Sequence, residues 1–174
     1  MTTSRDLTKL SLMDALDLAI LIEEEARQRY ELFASMIGRS GGRYDAGSFF
    51  ASMAKNEAKH GTELLERRMK LFGDKPTKLS PEDLYDVEAP ESGSPRRGMS
   101  IVQAFEVGLA AEQKAYDFYD AALPGITNPE VRTLFTELRD EETEHVEMLE
   151  KEMAKLPENA SIEIENDPDD APYL

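Results

Sequence analysis

The sequence predicts an all-α protein, an antiparallel four-helix bundle with a long crossover between its second and third helices. Three observations point to it. Four segments carry buried-type residues at alternating steps of three and four, the spacing that gathers side chains onto one face of a helix. The second pair of segments repeats the first. The link between the pairs, about 73–98, is also far longer than the other two links.

The first helix, about 11–37, sets Leu12, Leu16, Ala19, Glu23, Ala26, Tyr30, Phe33 and Ile37 on one face. Glu23 lies in the middle of that apolar stripe. After the glycine-rich "GRSGG" the second helix, about 46–72, repeats the pattern with Phe50, Met53, Glu57, His60, Leu64 and Leu71. The third, about 99–123, runs Ile101, Phe105, Gly108, Glu112, Ala115, Tyr119 and Ala122. The fourth, about 129–156, runs Val131, Phe135, Leu138, Glu142, His145 and Leu149. Pro124, Gly125 and Pro129 punctuate the gap between these two.

Sliding the chain by 89 residues matches Ser11 with Ser100, Ala15 with Ala104, Glu23 with Glu112, Ala26 with Ala115 and Tyr30 with Tyr119. Sliding by 85 matches Phe50, Glu57, His60 and Leu64 with Phe135, Glu142, His145 and Leu149. Packing alone would preserve leucine and alanine, yet the matches include glutamate and histidine inside apolar faces. The long link fits this arrangement: a helix of about 25 residues spans roughly 37 Å, and 26 extended residues reach roughly 86 Å. The third helix can therefore run parallel to the second, with the halves related by a two-fold axis. The bundle is assigned to residues 1–156, and 157–174, with six acids, no bases and three prolines, to an acidic C-terminal tail.

Composition limits the function. A chain of 174 residues, 40% hydrophobic and 32% charged, folds as one soluble domain. Acids outnumber bases 36 to 20, for a formal charge of −16, so the field around the protein repels nucleic acid and anionic membranes and attracts small cations. The N-terminus lacks the apolar core of a signal peptide, and "LAILI" at 18–22 is too short to span a bilayer, so a cytoplasmic location is expected. The absence of cysteine excludes disulfides, thiolate metal sites and iron–sulfur clusters.

Residues three apart on a helix stand about one turn apart and roughly 60° from each other around the axis, so Glu57 and His60 can point at one spot, as can Glu142 and His145. With Glu23 and Glu112 the core holds four carboxylates and two imidazoles. Four buried like charges without a counter-ion are strongly unfavourable. Two divalent cations cancel them, and a mixed oxygen and nitrogen ligand set suits iron or manganese. A lone Glu-x-x-His is weak as a signal, because acidic helices contain it by accident. Six such residues on the apolar faces of four helices, in two matching sets, are specific. Tyr30 and Tyr119, seven residues after their glutamates, read as core aromatics or as phenols that hydrogen-bond a ligand carboxylate or relay electrons. Glu24 and Glu25 flank Glu23 off the stripe and are expected at the surface.

The set Glu23-x6-Tyr30, Glu57-x-x-His60, Glu112-x6-Tyr119 and Glu142-x-x-His145 resembles the ferritin-like superfamily, specifically its rubrerythrin or erythrin branch, over about 11–156. The resemblance implies two iron ions per chain, manganese being the alternative. Glu57 and Glu142 would bridge them, Glu23 and Glu112 would be terminal ligands, and His60 and His145 would each cap one. It also implies a homodimer and reduction of hydrogen peroxide or O2 with electrons from an external donor. The alternatives are a ferroxidase or iron-handling protein oxidising Fe(II), and a metal-stabilised scaffold. Two features depart from the pattern. No cysteine-ligated donor domain is present, and the residues one turn from Glu112, namely Gly108, Leu109, Ala115 and Tyr116, include none of the extra carboxylate that rubrerythrins carry there.

Overall fold

In the computed structural model residues 9–37, 45–79 and 98–162 are described. Four α-helices form the framework: α1 (Leu12–Ile37), α2 (Ala46–Phe72), α3 (Ile101–Ala122) and α4 (Pro129–Met153). Local hydrogen bonds close several of the helix ends. Asp45 caps α2 by accepting from the Ser48 amide, and α2 stops at Gly73, whose φ of 61° is left-handed and suits glycine. Ser100 and Gln103 form a reciprocal capping box at the start of α3. Asn128 accepts from the Glu130 and Val131 amides, with Pro129 opening α4. The expected ends agree to within three residues. The third helix gives way at Leu123–Gly125 to a short 3-10 turn, and α4 ends at Met153 rather than 156.

The helices pack as two hairpins, α1 on α2 and α3 on α4. Their relative directions follow from the core. One apolar cluster joins the first part of α1 (Leu12, Leu16, Ile22) to the last residues of α3 (Tyr119, Ala122), the first half of α4 (Val131, Phe135, Leu138) and Leu64 of α2. The other joins Tyr30, Phe33 and Ile37 to Phe50, Met53, Phe105 and Leu149. Helices α1 and α4 therefore run one way, α2 and α3 the other, and the α2–α3 connection must travel the length of the bundle. This is the ferritin-like topology. Burial of each large apolar side chain contributes about 1.5–3 kcal/mol, and the two clusters hold the bundle at its ends. Between them lies a layer of glutamate and histidine.

The stripe of α2 differs from the expectation at its end. Leu71 is 50% exposed, and the buried face there belongs to Arg68. Arg68 donates to Asp17 of α1 at 2.7 Å and to the carbonyls of Gly73 and Lys75, so a buried ion pair with its donors satisfied ties the start of the link to the bundle. Residues 80–97 of that link lie outside the described residues. Of the tail, Glu158–Ser161 form a 3-10 turn against α3 with Ala160 buried, and 163–174 lie outside the described residues. Among the described residues no helix is long and apolar enough to cross a membrane.

Candidate metal centre

Each helix delivers its polar residues to the same level because each sits one or two turns inward from an aromatic anchor. On α1, Tyr30 and Phe33 lock into Phe50 of α2, with ring centroids 6.1 and 5.1 Å away, and Phe50 reaches Phe105 of α3 at 4.8 Å. At the other end Tyr119 stands edge-on to Phe135 at 5.2 Å. This double clamp sets the height of Glu23, Glu57, Glu112 and Glu142, all of them buried. His145 is buried too, whereas His60 is half-buried. The two imidazole rings face each other nearly parallel, 9° apart in plane and 5.3 Å between centroids.

All six residues predicted from the sequence meet here. Glu57, His60 and His145 each bring one ligand atom within 4.8 Å of the others', and so do Glu112, Glu142 and His145. Glu57 thus reaches both histidines. His145 Nδ1 lies 3.3 Å from Glu57, 3.6 Å from Glu112 and 3.8 Å from Glu142, and His60 Nδ1 lies 3.8 Å from Glu23. A third group was not foreseen: Glu23 and His60 converge with Glu141 of α4. The signal for Glu141 is its position three residues after Leu138 and four before His145, which puts it on the edge of the buried face.

The hydrogen bonding is telling. Glu23 Oε2, Glu57 Oε1, His60 Nδ1 and His145 Nδ1 are all buried without a hydrogen bond. Buried polar atoms are ordinarily satisfied, because each one left bare costs about 1–3 kcal/mol. Four bare ligand atoms aimed at one another fit a bound cation. The carboxylate and imidazole donor set suits iron or manganese.

Protonation states point the same way. Burial, with the Glu112 charge adding to it, pushes the Glu57 carboxyl up to about 11. Burial raises Glu23 to about 7. For Glu112 burial also pushes upward, but its interactions with His145, Glu142 and Tyr30 override it and hold the carboxyl at about 2. Burial pulls His145 down, yet the carboxylates of Glu112, Glu57 and Glu23 around it win and raise it to about 9. At neutral pH the metal-free layer thus relieves its charge with protons, and a cation must displace them.

The two tyrosines are fully buried. The Tyr30 hydroxyl donates to Glu112 across the bundle, the phenol-to-carboxylate contact its placement suggested. Tyr119 packs between Phe118 and Phe135. Glu24 is exposed and pairs with Arg27 and Gln28 on the surface, and Glu25 is half-buried. A cavity of about 130 Å³ opens beside His60, bordered by Glu63, Glu137 and Glu141.

Comparison with known proteins agrees with this fold. The family model described as Rubrerythrin matches residues 14–153. A crystal structure of an uncharacterized conserved protein from Magnetospirillum magnetotacticum MS-1 is similar, with 29% identity and a TM-score of 0.70, over 85% of this chain and 97% of that one. The comparison with curated proteins gave no match.

Proposed function

The chain belongs to the rubrerythrin family, and from that membership and the geometry of its polar layer we propose that it is a di-iron oxidoreductase reducing hydrogen peroxide or O2 with electrons from an external donor. The observation that carries this reading is the gathering of four buried ligand atoms with no hydrogen bond into overlapping carboxylate and histidine groups between two apolar clusters. When bound, two ferrous ions would supply the two electrons that, with two protons, convert hydrogen peroxide to two waters, and the donor would return those electrons.

The protein's own residues have separable tasks in this reading. Glu57, within reach of both histidines, spans the two halves. Glu112 is kept ionised chiefly by His145 and Glu142 and is oriented by the Tyr30 hydroxyl, so its free oxygen stays directed at His145. The aromatic clusters on either side exclude water and fix the helix spacing, which limits the carboxylates to movements within the layer. The opening at His60 gives a small oxidant a path. In this reading the electron donor is a separate protein or small molecule.

The test is addition of peroxide to anaerobically ferrous-loaded protein with a reductant present, following peroxide loss and iron content together. Repeated turnover with iron retained is expected. Stoichiometric oxidation followed by loss of iron would contradict the oxidoreductase reading. The alternative, an iron-handling ferroxidase, is favoured by the acidic cavity at the entrance, and uptake of more than two irons per chain would select it.

A further inference from the structure

Helix α4 brings to the centre a carboxylate that the two-fold relation of the halves does not supply. The 85-residue slide sets Glu142 on Glu57 and His145 on His60, but it sets Glu141 on Asn56. Glu141 is half-buried and converges with Glu23 and His60, one ligand atom of each lying within 4.8 Å of the others. Glu23 is only 4% exposed, and its Oε2 has no hydrogen bond and faces His60 Nδ1 at 3.8 Å. Acids on a helix surface are common, but this one shares its cluster with a deeply buried oxygen that lacks a partner.

The two sides of the layer then compare directly. On the enclosed side stand Glu112, Glu142 and His145; on the open side stand Glu23, Glu141 and His60; and Glu57 reaches both histidines. Without Glu141 the open side would have one carboxylate of its own. We propose that Glu141 is a metal ligand of the position beside His60, so that the centre draws on seven residues and its two metal positions are chemically distinct. The inference rests on the di-iron reading. The fifth carboxylate also carries a consequence of charge: two ferrous ions and five carboxylates sum to −1, and two ferric ions to +1, so the ligand set is more nearly balanced in the oxidised state than four carboxylates would make it.

The experiment is anaerobic titration with ferrous iron alone, read by calorimetry and by Mössbauer spectra of the iron-loaded protein, on wild type, Glu141→Gln, Glu141→Asp and Glu144→Gln. Wild type should bind two irons per chain and show two ferrous signals of equal area. Glu141→Gln should weaken one binding step at least tenfold, spare the other and shift one signal. Glu141→Asp, which keeps the charge and shortens its reach, should fall between. Glu144, exposed on the same helix, loses the same charge without touching the cluster, and its variant should match wild type. Wild-type binding and spectra in Glu141→Gln would overturn the inference, and so would equal weakening in Glu144→Gln. A wild type that binds no iron would instead reject the proposed function itself.

Discussion

The hydroxyl of Tyr30 sits fully buried against the carboxylate of Glu112, 82 positions away in the chain. A buried hydrogen bond to a charged group contributes about 1.5–3 kcal/mol, so Tyr30→Phe should lower the unfolding free energy by about that much in urea titrations. A loss below about 0.5 kcal/mol would mean the hydroxyl does not hold Glu112. Proton binding gives a second residue-level prediction for the metal-free protein. His145 is raised from 6.5 to about 9, so its stabilisation is complete below pH 6.5 and is lost as pH rises through 9. Glu23, raised from 4.5 to about 7, and Glu57, raised to about 11, also bind more protons folded than unfolded above pH 4.5. Stability must then fall as pH rises. Glu112, lowered to about 2, opposes this below pH 4.5, and His60, lowered from 6.5 by burial and the charge of His145, opposes it below pH 6.5, but together they are outweighed by the three raised groups. The melting temperature of the metal-free protein should decline steadily from pH 5 to 9; a rise over that range would contradict the assigned protonation states. The six residues of the layer were legible in the sequence because each half repeats them. Glu141 was not, since the signal that revealed the others places asparagine at its counterpart and the acidic run around it hides one useful carboxylate among several.

Among the elements, α3 depends most visibly on its cap, for it begins directly after the long link and must be started by local bonds. The Ser100 side chain accepts from the Gln103 amide at 3.1 Å while the Gln103 side chain accepts from the Ser100 amide at 2.8 Å. Ser100→Ala should therefore cost about 0.5–2 kcal/mol, seen as a lower denaturation midpoint, and an unchanged midpoint would show that tertiary packing alone fixes the start of α3. Helix existence, type and most of each buried face follow from the steps of three and four, because that spacing is what a core requires. The last turn of α2 does not. Hydrophobicity marks Leu71 as a core residue, but Arg68 finds Asp17 on another helix, with backbone carbonyls to take its remaining donors, and the helix turns that face inward instead. No local pattern reports a partner 51 residues away.

For the whole molecule, the order of contacts in the two apolar clusters makes α2 and α3 parallel, an arrangement the length of the link allows. The layer between those clusters is drawn from all four helices, so a bound cation would join both hairpins at once. A ligand held only by the folded state at a hundredfold excess over Kd adds about 2.7 kcal/mol, and for a chain of this size each kcal/mol raises the melting temperature by about 2–4 °C. Anaerobic ferrous iron should accordingly raise it by about 5–10 °C, whereas magnesium, which prefers a cage of oxygens and water, should raise it far less. Equal shifts for the two ions would point to screening of the −16 net charge in place of a specific centre.

The most direct test of the central claim is the iron content per chain after anaerobic ferrous loading and desalting, measured by mass spectrometry on wild type and on Glu57→Ala, the residue within reach of both histidines. About two irons are expected in the wild type, with a sharp loss in the variant. A folded wild type that retains no iron, or a Glu57→Ala protein that retains as much as the wild type, would contradict the claim.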